Sequence, residues 1–460
     1  MGSVIAVEKG PQPSRIKTLS LISFGHFIND GMVFFIPVTT AILAKEHGAP
    51  AALITAVLTL FYLSTALFGL VVGRIADRVG RRGVLIALGI FILSLGLGGF
   101  YLALLTPPGA GADVLAIVGA IVAGIGSSFY HPLGGSVIQL AFDKRSMGKV
   151  LGINGAFGSL GRALYPTVFF LVAALSISQT STVAIFAVIG ILSATIIGWG
   201  LSESLGRGRK RSRITVLAPS GPSDITPASL PTGPGAANLT SDGASPNAPE
   251  DGTGGNGDER PTMRHVLNKS VIALTVIAFF RSMAFIGIVS WVPIYLTTQK
   301  HLGISSHLGY TVTLMYAGGV IGQPLFGQLV DRFDKRLVLS LNSLLSAASI
   351  VAYIATSGAA SLVALVFFGF FTFAGFPLLL SLVSDYVPKG SSSTGNALVW
   401  GLGSTGGQAM GPLVVGLLTL GSYSHLTTAF AIMAGVAALT VLGMPLLAKS
   451  ENRTKMPLFG

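Results

Sequence analysis

The chain has 460 residues, of which 51% are hydrophobic and only 10% charged, with a mean hydropathy of +0.74 and a formal net charge of +12. Soluble domains carry roughly a quarter charged residues, so this composition excludes a soluble fold of this size. The absence of cysteine excludes disulfides, thiolate metal sites and a cysteine nucleophile.

Residues 1–18, with Lys9, Arg15 and Lys17, read as a cytoplasmic N-terminal tail with no removed signal peptide. Apolar runs long enough to cross the bilayer, which takes about 20 residues, then follow near 19–43, 51–73, 84–105, 113–141, 150–176 and 181–200. A second set lies near 268–297, 308–329, 337–356, 360–386, 394–420 and 424–447. Lipid offers no partner to a free backbone N–H or C=O, so only helices and closed barrels span it, and these runs lack the short alternating pattern of barrel strands. The expected fold is an all-α membrane protein of twelve transmembrane helices. They form two six-helix bundles, 19–202 and 268–447, with a C-terminal tail at 448–460.

Residues 203–267 break the pattern. The segment opens on GRGRKRSR at 206–213 and continues rich in Ser, Pro, Gly and Asn. It has too little apolar surface to offset its chain entropy and is expected to be a disordered cytoplasmic linker. With both termini cytoplasmic, 25 of the 29 Lys and Arg residues fall on the inner side, against Lys45 and Lys300 outside and Arg162 and Arg281 within spans. That bias orients the chain, and it accounts for the positive charge without nucleic acid.

Internal repeats tie the halves together. GRIADRVGRR at 73–82 parallels GQLVDRFDKR at 327–336, so Gly73, Asp77, Arg78 and Arg82 correspond to Gly327, Asp331, Arg332 and Arg336. GSLGRALYP at 158–166 in span 5 parallels GSTGGQAMGP at 403–412 in span 11, and Pro37 parallels Pro293. Duplicated bundles around a central site are the usual basis of alternating access.

The segment from Gly73 to Arg82, including Gly80 and Arg81, resembles the loop motif of the major facilitator superfamily, and Gly327 to Arg336 resembles its weaker second copy. Within that superfamily, HFINDG at 26–31 and GSSFYHPLGG at 126–135 look like the fosmidomycin-resistance branch, although Tyr130 stands between Phe129 and His131 and Leu133 replaces a frequently acidic position. The resemblance implies secondary transport without an enzymatic activity or cofactor. It also implies a conformational role for the loop motifs and export by proton exchange.

Ionisable groups at membrane depth are costly, so each is a candidate for function. His26 and Asp30 are four residues apart and share a helix face, and a carboxylate beside an imidazole there can share or relay a proton. His131 precedes Pro132, whose missing N–H frees a carbonyl one turn back, so it serves either a proton path or the bend itself. Arg162 and Arg281 cannot readily release a proton and suit permanent anion anchors or partners of Asp30. Asn29, Phe34, Tyr130, Tyr165, Gln323, Asn396, Trp400 and Gln408 are candidate cavity-lining residues, and Trp291 and Tyr295 suit interface anchors. His26, His47 and His131 lack compact ligand spacing, so no metal site is expected.

The expected function is proton-coupled export of a small amphipathic or anionic compound. Uptake of a carboxylate or sugar-like nutrient with protons is the nearer alternative, and a non-transporting receptor or structural protein the remote one. The expected partners are a small-molecule substrate, protons and the bilayer of a cell inner or plasma membrane, with the chain a monomer.

Overall fold

The computed structural model describes residues 14–79, 81–142, 147–175, 178–209, 267–387, 395 and 397–449. All regular elements among them are helical, and they make twelve crossings. Span 1 is Arg15–Glu46, span 2 Ala51–Val79 and span 3 Arg82–Leu105. Span 4 is broken into Ala110–Ser127 and Tyr130–Ala141, and spans 5 and 6 are Met147–Ala174 and Gln179–Arg209. The second half follows as span 7 Lys269–Thr298, span 8 Ser306–Arg332, span 9 Lys335–Ala355 and span 10 Gly358–Tyr386. Span 11 is a π-helical Ala397–Thr405 running into Gly406–Leu418, and span 12 runs from Tyr423 through Leu426–Leu439 to Leu446. Ten described helices are long and apolar enough to cross a membrane by themselves. Span 8, which carries Gln323 and Gln328, and the composite span 11 complete the set.

The break in span 4 falls where Pro132 removes the N–H that would close the turn on Ser128. Span 6 continues helical to Arg209, past the sequence-based boundary at 203; the rest of the linker, 210–266, lies outside the described residues, as do residues 1–13, Gly80, Asn396 and 450–460.

Glycine seams set the packing within each half. In span 5, a side chain at Gly158 would overlap the His26 ring, and one at Gly161 would overlap the Phe27 backbone carbonyl. In span 11, Gly407 sits against the Phe279 carbonyl of span 7 in the same way. The repeat therefore aligns Phe27 with Phe279 and Gly161 with Gly407. From Gly158 to Arg162 is four residues, whereas from Gly403 to Gln408 is five. The π-helical turn at 397–405 absorbs the extra residue, since a π-helix closes i to i+5. It also means that Trp400 and Gln408 are not separated by regular α-helical turns.

The halves meet at the end carrying the charge-poor loops. Tyr423 Oη donates to Ala49 O at 2.5 Å, Gln179 Nε2 donates to Ile304 O at 2.9 Å, and the hydroxyls of Thr167 and Thr313 are 2.7 Å apart. Deeper, Ser290 Oγ donates to Tyr62 Oη at 3.3 Å. Toward the basic end, Gly73, Gly152, Gly155 and Gly327 have open space where a Cβ would stand. The hydrogen bonds of Tyr423, Gln179 and Thr167 fasten the two halves together at the charge-poor end.

Candidate functional site

Asp30 occupies the middle of span 1 and is only 1% exposed. Arg162, one helical face of span 5 across the glycine seam, donates from a terminal guanidinium nitrogen to Asp30 Oδ2 at 3.0 Å. His26 Nε2 lies 3.4 Å from the same oxygen, and His131 Nε2 lies 3.4 Å from Oδ1. Asn29 Nδ2 also donates to Oδ1, at 3.1 Å. The carboxylate is thus ringed by one fixed cation, two imidazoles and an amide. An isolated buried charge would be prohibitive, and this ring is what makes Asp30 tolerable at membrane depth.

The two imidazoles differ in setting. His131 follows the break in span 4, and its side chain is 58% exposed. His26 is 13% exposed and stacks on Tyr130 with ring centroids 4.7 Å apart. Ring nitrogens of His26 and His131 and a carboxylate oxygen of Asp30 lie within 4.8 Å of one another, a spacing a metal ion could use that the linear sequence does not reveal. The guanidinium already on this carboxylate supplies the positive charge that such a cation would bring.

Arg162 reaches the other half. Its second terminal nitrogen donates to Ser159 Oγ at 2.7 Å, and Ser159 Oγ in turn donates to Gln323 Oε1 of span 8 at 3.5 Å. The guanidinium carbon is 5.2 Å from the Phe34 ring and 5.3 Å from the Phe373 ring of span 10. Tyr316 packs on both phenyl groups, and its buried hydroxyl has no hydrogen-bond partner. Arg162 is therefore bounded by aromatic rings from both halves, with the unpartnered Tyr316 hydroxyl beside them.

The repeat alignment shows what stands opposite. Advancing three residues from Phe27 and Phe279 pairs Asp30 with Ser282, and the register of spans 5 and 11 pairs Arg162 with Gln408. Ser282 and Ser404 hydroxyls are 3.0 Å apart, and Gln408 Nε2 donates to Ser404 Oγ at 3.2 Å. The second half carries a neutral counterpart of the charged site in the first.

The same register places Arg281 opposite Asn29, one position off the cleft-facing residue. Arg281 is 4% exposed and points into its own bundle. It donates to Asn342 Oδ1 at 2.6 Å, Ser343 Oγ at 3.2 Å and Thr372 O at 3.4 Å, beneath the Phe285 ring at 4.8 Å. No carboxylate pairs with it among the described residues. Tyr165 likewise packs inward, against Gly31, Phe27 and Phe186. Trp400 lies half-buried in the π-helical turn.

In the loop motifs, Gly73 and the exposed Arg78 end span 2, and Arg81 and Arg82 begin span 3. Asp77 and Asp331 fall within helices, and Gly327 and Arg332 belong to span 8. The second motif carries contacts that its alignment alone does not reveal. Asp334 caps span 9 by accepting from the Arg336 backbone N–H at 2.9 Å, and its Oδ2 accepts from the Arg336 guanidinium at 2.8 Å. Arg336 also donates to Leu447 O at 3.1 Å, fastening the end of span 12. Lys335 pairs with Asp385 at 2.8 Å. The hydrogen bond from Arg336 holds the Asp334 carboxyl below its ordinary range.

Comparison with known proteins agrees with this architecture. The family model described as Major Facilitator Superfamily matches residues 19–407 and 299–458. A glucose-6-phosphate exchanger of Mus musculus is 29% identical over 167 residues, covering 34% of this chain and 31% of its own. A putative metabolite transport protein of Haemophilus influenzae is 28% identical over 177 residues, covering 38% of this chain and 42% of its own. The matched stretches thus span less than half of these relatives. In three dimensions the chain is similar to the inward-open xylose transporter of E. coli, with TM-score 0.67, 14% identity and coverage of 96% and 98%. It is also similar to a bacterial homolog of the human lysosomal transporter Spinster, with TM-score 0.64, 15% identity and coverage of 95% and 96%. The family model shows the superfamily and the solved structures its fold, and neither selects the fosmidomycin-resistance branch. The chain belongs to the Major Facilitator Superfamily and is a multi-pass membrane transport protein, not an enzyme.

Proposed function

We propose that the chain takes up a small sugar-like or phosphorylated metabolite together with protons. In this reading residues 19–202 rock against 268–447, with both termini and the basic end facing the cytoplasm. The observation that carries it is the buried Asp30 carboxylate, flanked by two imidazoles and held by Arg162, whose guanidinium lies against Phe373 of the other half. Protonation there weakens the pair with Arg162, and a freed guanidinium is an anchor for an anionic substrate group. Arg162 also touches Phe373 and, through Ser159, Gln323, so its release alters contacts between the halves. The named activities of the exchanger and the metabolite transport protein support the substrate class. The neutral Ser282, Ser404 and Gln408 cluster supports hydroxyl recognition from the opposite side.

A second reading, proton-driven export of an amphipathic or anionic compound, is favoured by the HFINDG and GSSFYHPLGG segments. Proteoliposomes with an internal pH dye separate the two. Under an imposed substrate gradient, glucose 6-phosphate, xylose or a carboxylate moving in with protons acidifies the lumen, whereas exchange makes it alkaline. Asp30→Asn is expected to abolish either proton signal while the protein remains inserted; a signal of wild-type size in that variant removes Asp30 from the mechanism.

A further inference from the structure

The imidazole of His26 is held by a chain of hydrogen bonds whose directions are fixed. Ile22 O can only accept, so the Tyr130 hydroxyl, 2.7 Å away, donates to it. The Tyr130 oxygen is then free to accept, and it does so from Asn154 Nδ2 at 3.0 Å. That orients the Asn154 amide with its Oδ1 toward His26 Nδ1 at 3.0 Å. The Asn154 backbone carbonyl lies 2.8 Å from the same nitrogen and also can only accept. Both neighbours of Nδ1 are therefore acceptors, and Nδ1 must carry a hydrogen in the neutral ring and in the charged ring alike. Gly158 permits this geometry, because a side chain there would occupy the space of the ring.

What remains is Nε2, which faces Asp30 Oδ2 at 3.4 Å. We infer that the Tyr130–Asn154 chain locks His26 in the Nδ1-protonated form and so makes Nε2 the single atom on this ring that gains and loses a proton, directly against the Asp30 carboxylate. Tyr130 and Asn154 are positioning residues in this arrangement, because their hydrogen bonds reach His26 Nδ1 and orient the ring. The charged and titratable groups around His26 are Asp30 from its own helix, Tyr130 and His131 from span 4, and Arg162 from span 5 acting through Asp30. His131 has no described hydrogen bond fixing either ring nitrogen, so its tautomer is unconstrained by comparison. The lock rests on the proton-coupled reading for its use in transport but not for its existence.

The test is nitrogen-15 spectroscopy of histidine-labelled full-length protein in lipid nanodiscs, with the His26 signal assigned by its loss in His26→Gln. The neutral ring is expected as the Nδ1-protonated tautomer by at least roughly tenfold, the preference that one buried hydrogen bond implies. Protonation at lower pH is expected to move the Nε2 resonance. Gly158→Ala is expected to push the ring from the Asn154 carbonyl and mix the tautomers, with the pH profile of transport shifted. Finding the neutral wild-type ring protonated on Nε2 overturns the inference whatever the transport assay gives. An Nδ1-protonated ring in a protein that moves no protons upholds the lock and defeats only the transport reading.

Discussion

Arg162 and Asp30 meet at 3.0 Å across spans 1 and 5, and the face of the same guanidinium lies 5.3 Å from Phe373 in the opposite half. A charge pair inside one bundle is thereby tied to the position of the other. Whatever weakens the pair, a proton on Asp30 or an anion on Arg162, also loosens a contact between the halves.

Removing one partner of this pair leaves a buried charge, whereas removing both does not. Arg162→Gln alone is expected to destabilise the protein by about 3–5 kcal/mol, the usual consequence of orphaning a buried ion. Asp30→Asn combined with Arg162→Gln is expected to recover most of that loss in a thermal unfolding assay in detergent. A double variant no more stable than Arg162→Gln would mean that the ion pair is not what makes the site tolerable. Arg162→Lys keeps the charge but loses the planar fork that serves Asp30 and Ser159 together, so transport is expected to fall even where stability holds.

Arg281 is fixed by neutral partners. Replacing it with Met keeps the volume but leaves Asn342 Oδ1 without its donor, at a cost of about 1–3 kcal/mol. Arg281→Met with Asn342→Leu removes donor and acceptor together and is expected to regain stability. Substrate affinity in proteoliposomes should be unchanged in the double variant, because the side chain points into the bundle. A large loss of affinity at normal stability would return Arg281 to the cleft.

The twelve crossings were legible because lipid demands long apolar runs, and the repeats were legible because Gly73 to Arg82 and Gly158 to Pro166 recur in the second half. Charge scarcity singled out Asp30, Arg162, His26 and His131, which the fold gathers around one carboxylate. It also singled out Arg281, whose direction depends on a register of one residue that only the alignment of Phe27 with Phe279 supplies. Asn154 carried no signal, being an unremarkable amide 24 residues beyond Tyr130. The π-helical turn was hidden because one extra glycine in a glycine-rich span changes neither composition nor hydropathy. Asp334 and Lys335 sit inside the second loop motif; Asp334 pairs with the nearby Arg336, whereas the partner of Lys335, Asp385, lies in a different span.

The Asp334–Arg336 contact predicts a pH dependence. The folded Asp334 carboxyl titrates below its unfolded value, so the stabilisation is present above the ordinary carboxylate range and is lost as pH falls through the depressed folded value. Arg336→Ala is expected to lower the melting temperature at neutral pH and to narrow the gap to wild type under acid conditions. A gap independent of pH would assign the effect to the lost bond with Leu447 O instead.

The charge-poor end is held by Tyr423 against the Ala49 carbonyl and by Gln179 against the Ile304 carbonyl. Tyr423→Phe removes one of these bonds while keeping the ring, and one net hydrogen bond of about 1 kcal/mol corresponds to roughly a fivefold change in a two-state population. The chain contains no cysteine, so Gly152→Cys, at an exposed position toward the basic end, provides a single reporter for a membrane-impermeant maleimide. Labelling of Gly152→Cys is expected to slow when Tyr423→Phe is added, because the population moves away from the conformer that the Tyr423 bond stabilises, the one in which Gly152 is exposed. The same cysteine labelled at an unchanged rate, with folding intact, would show that the Tyr423 contact follows the fastening of the charge-poor end without helping to maintain it.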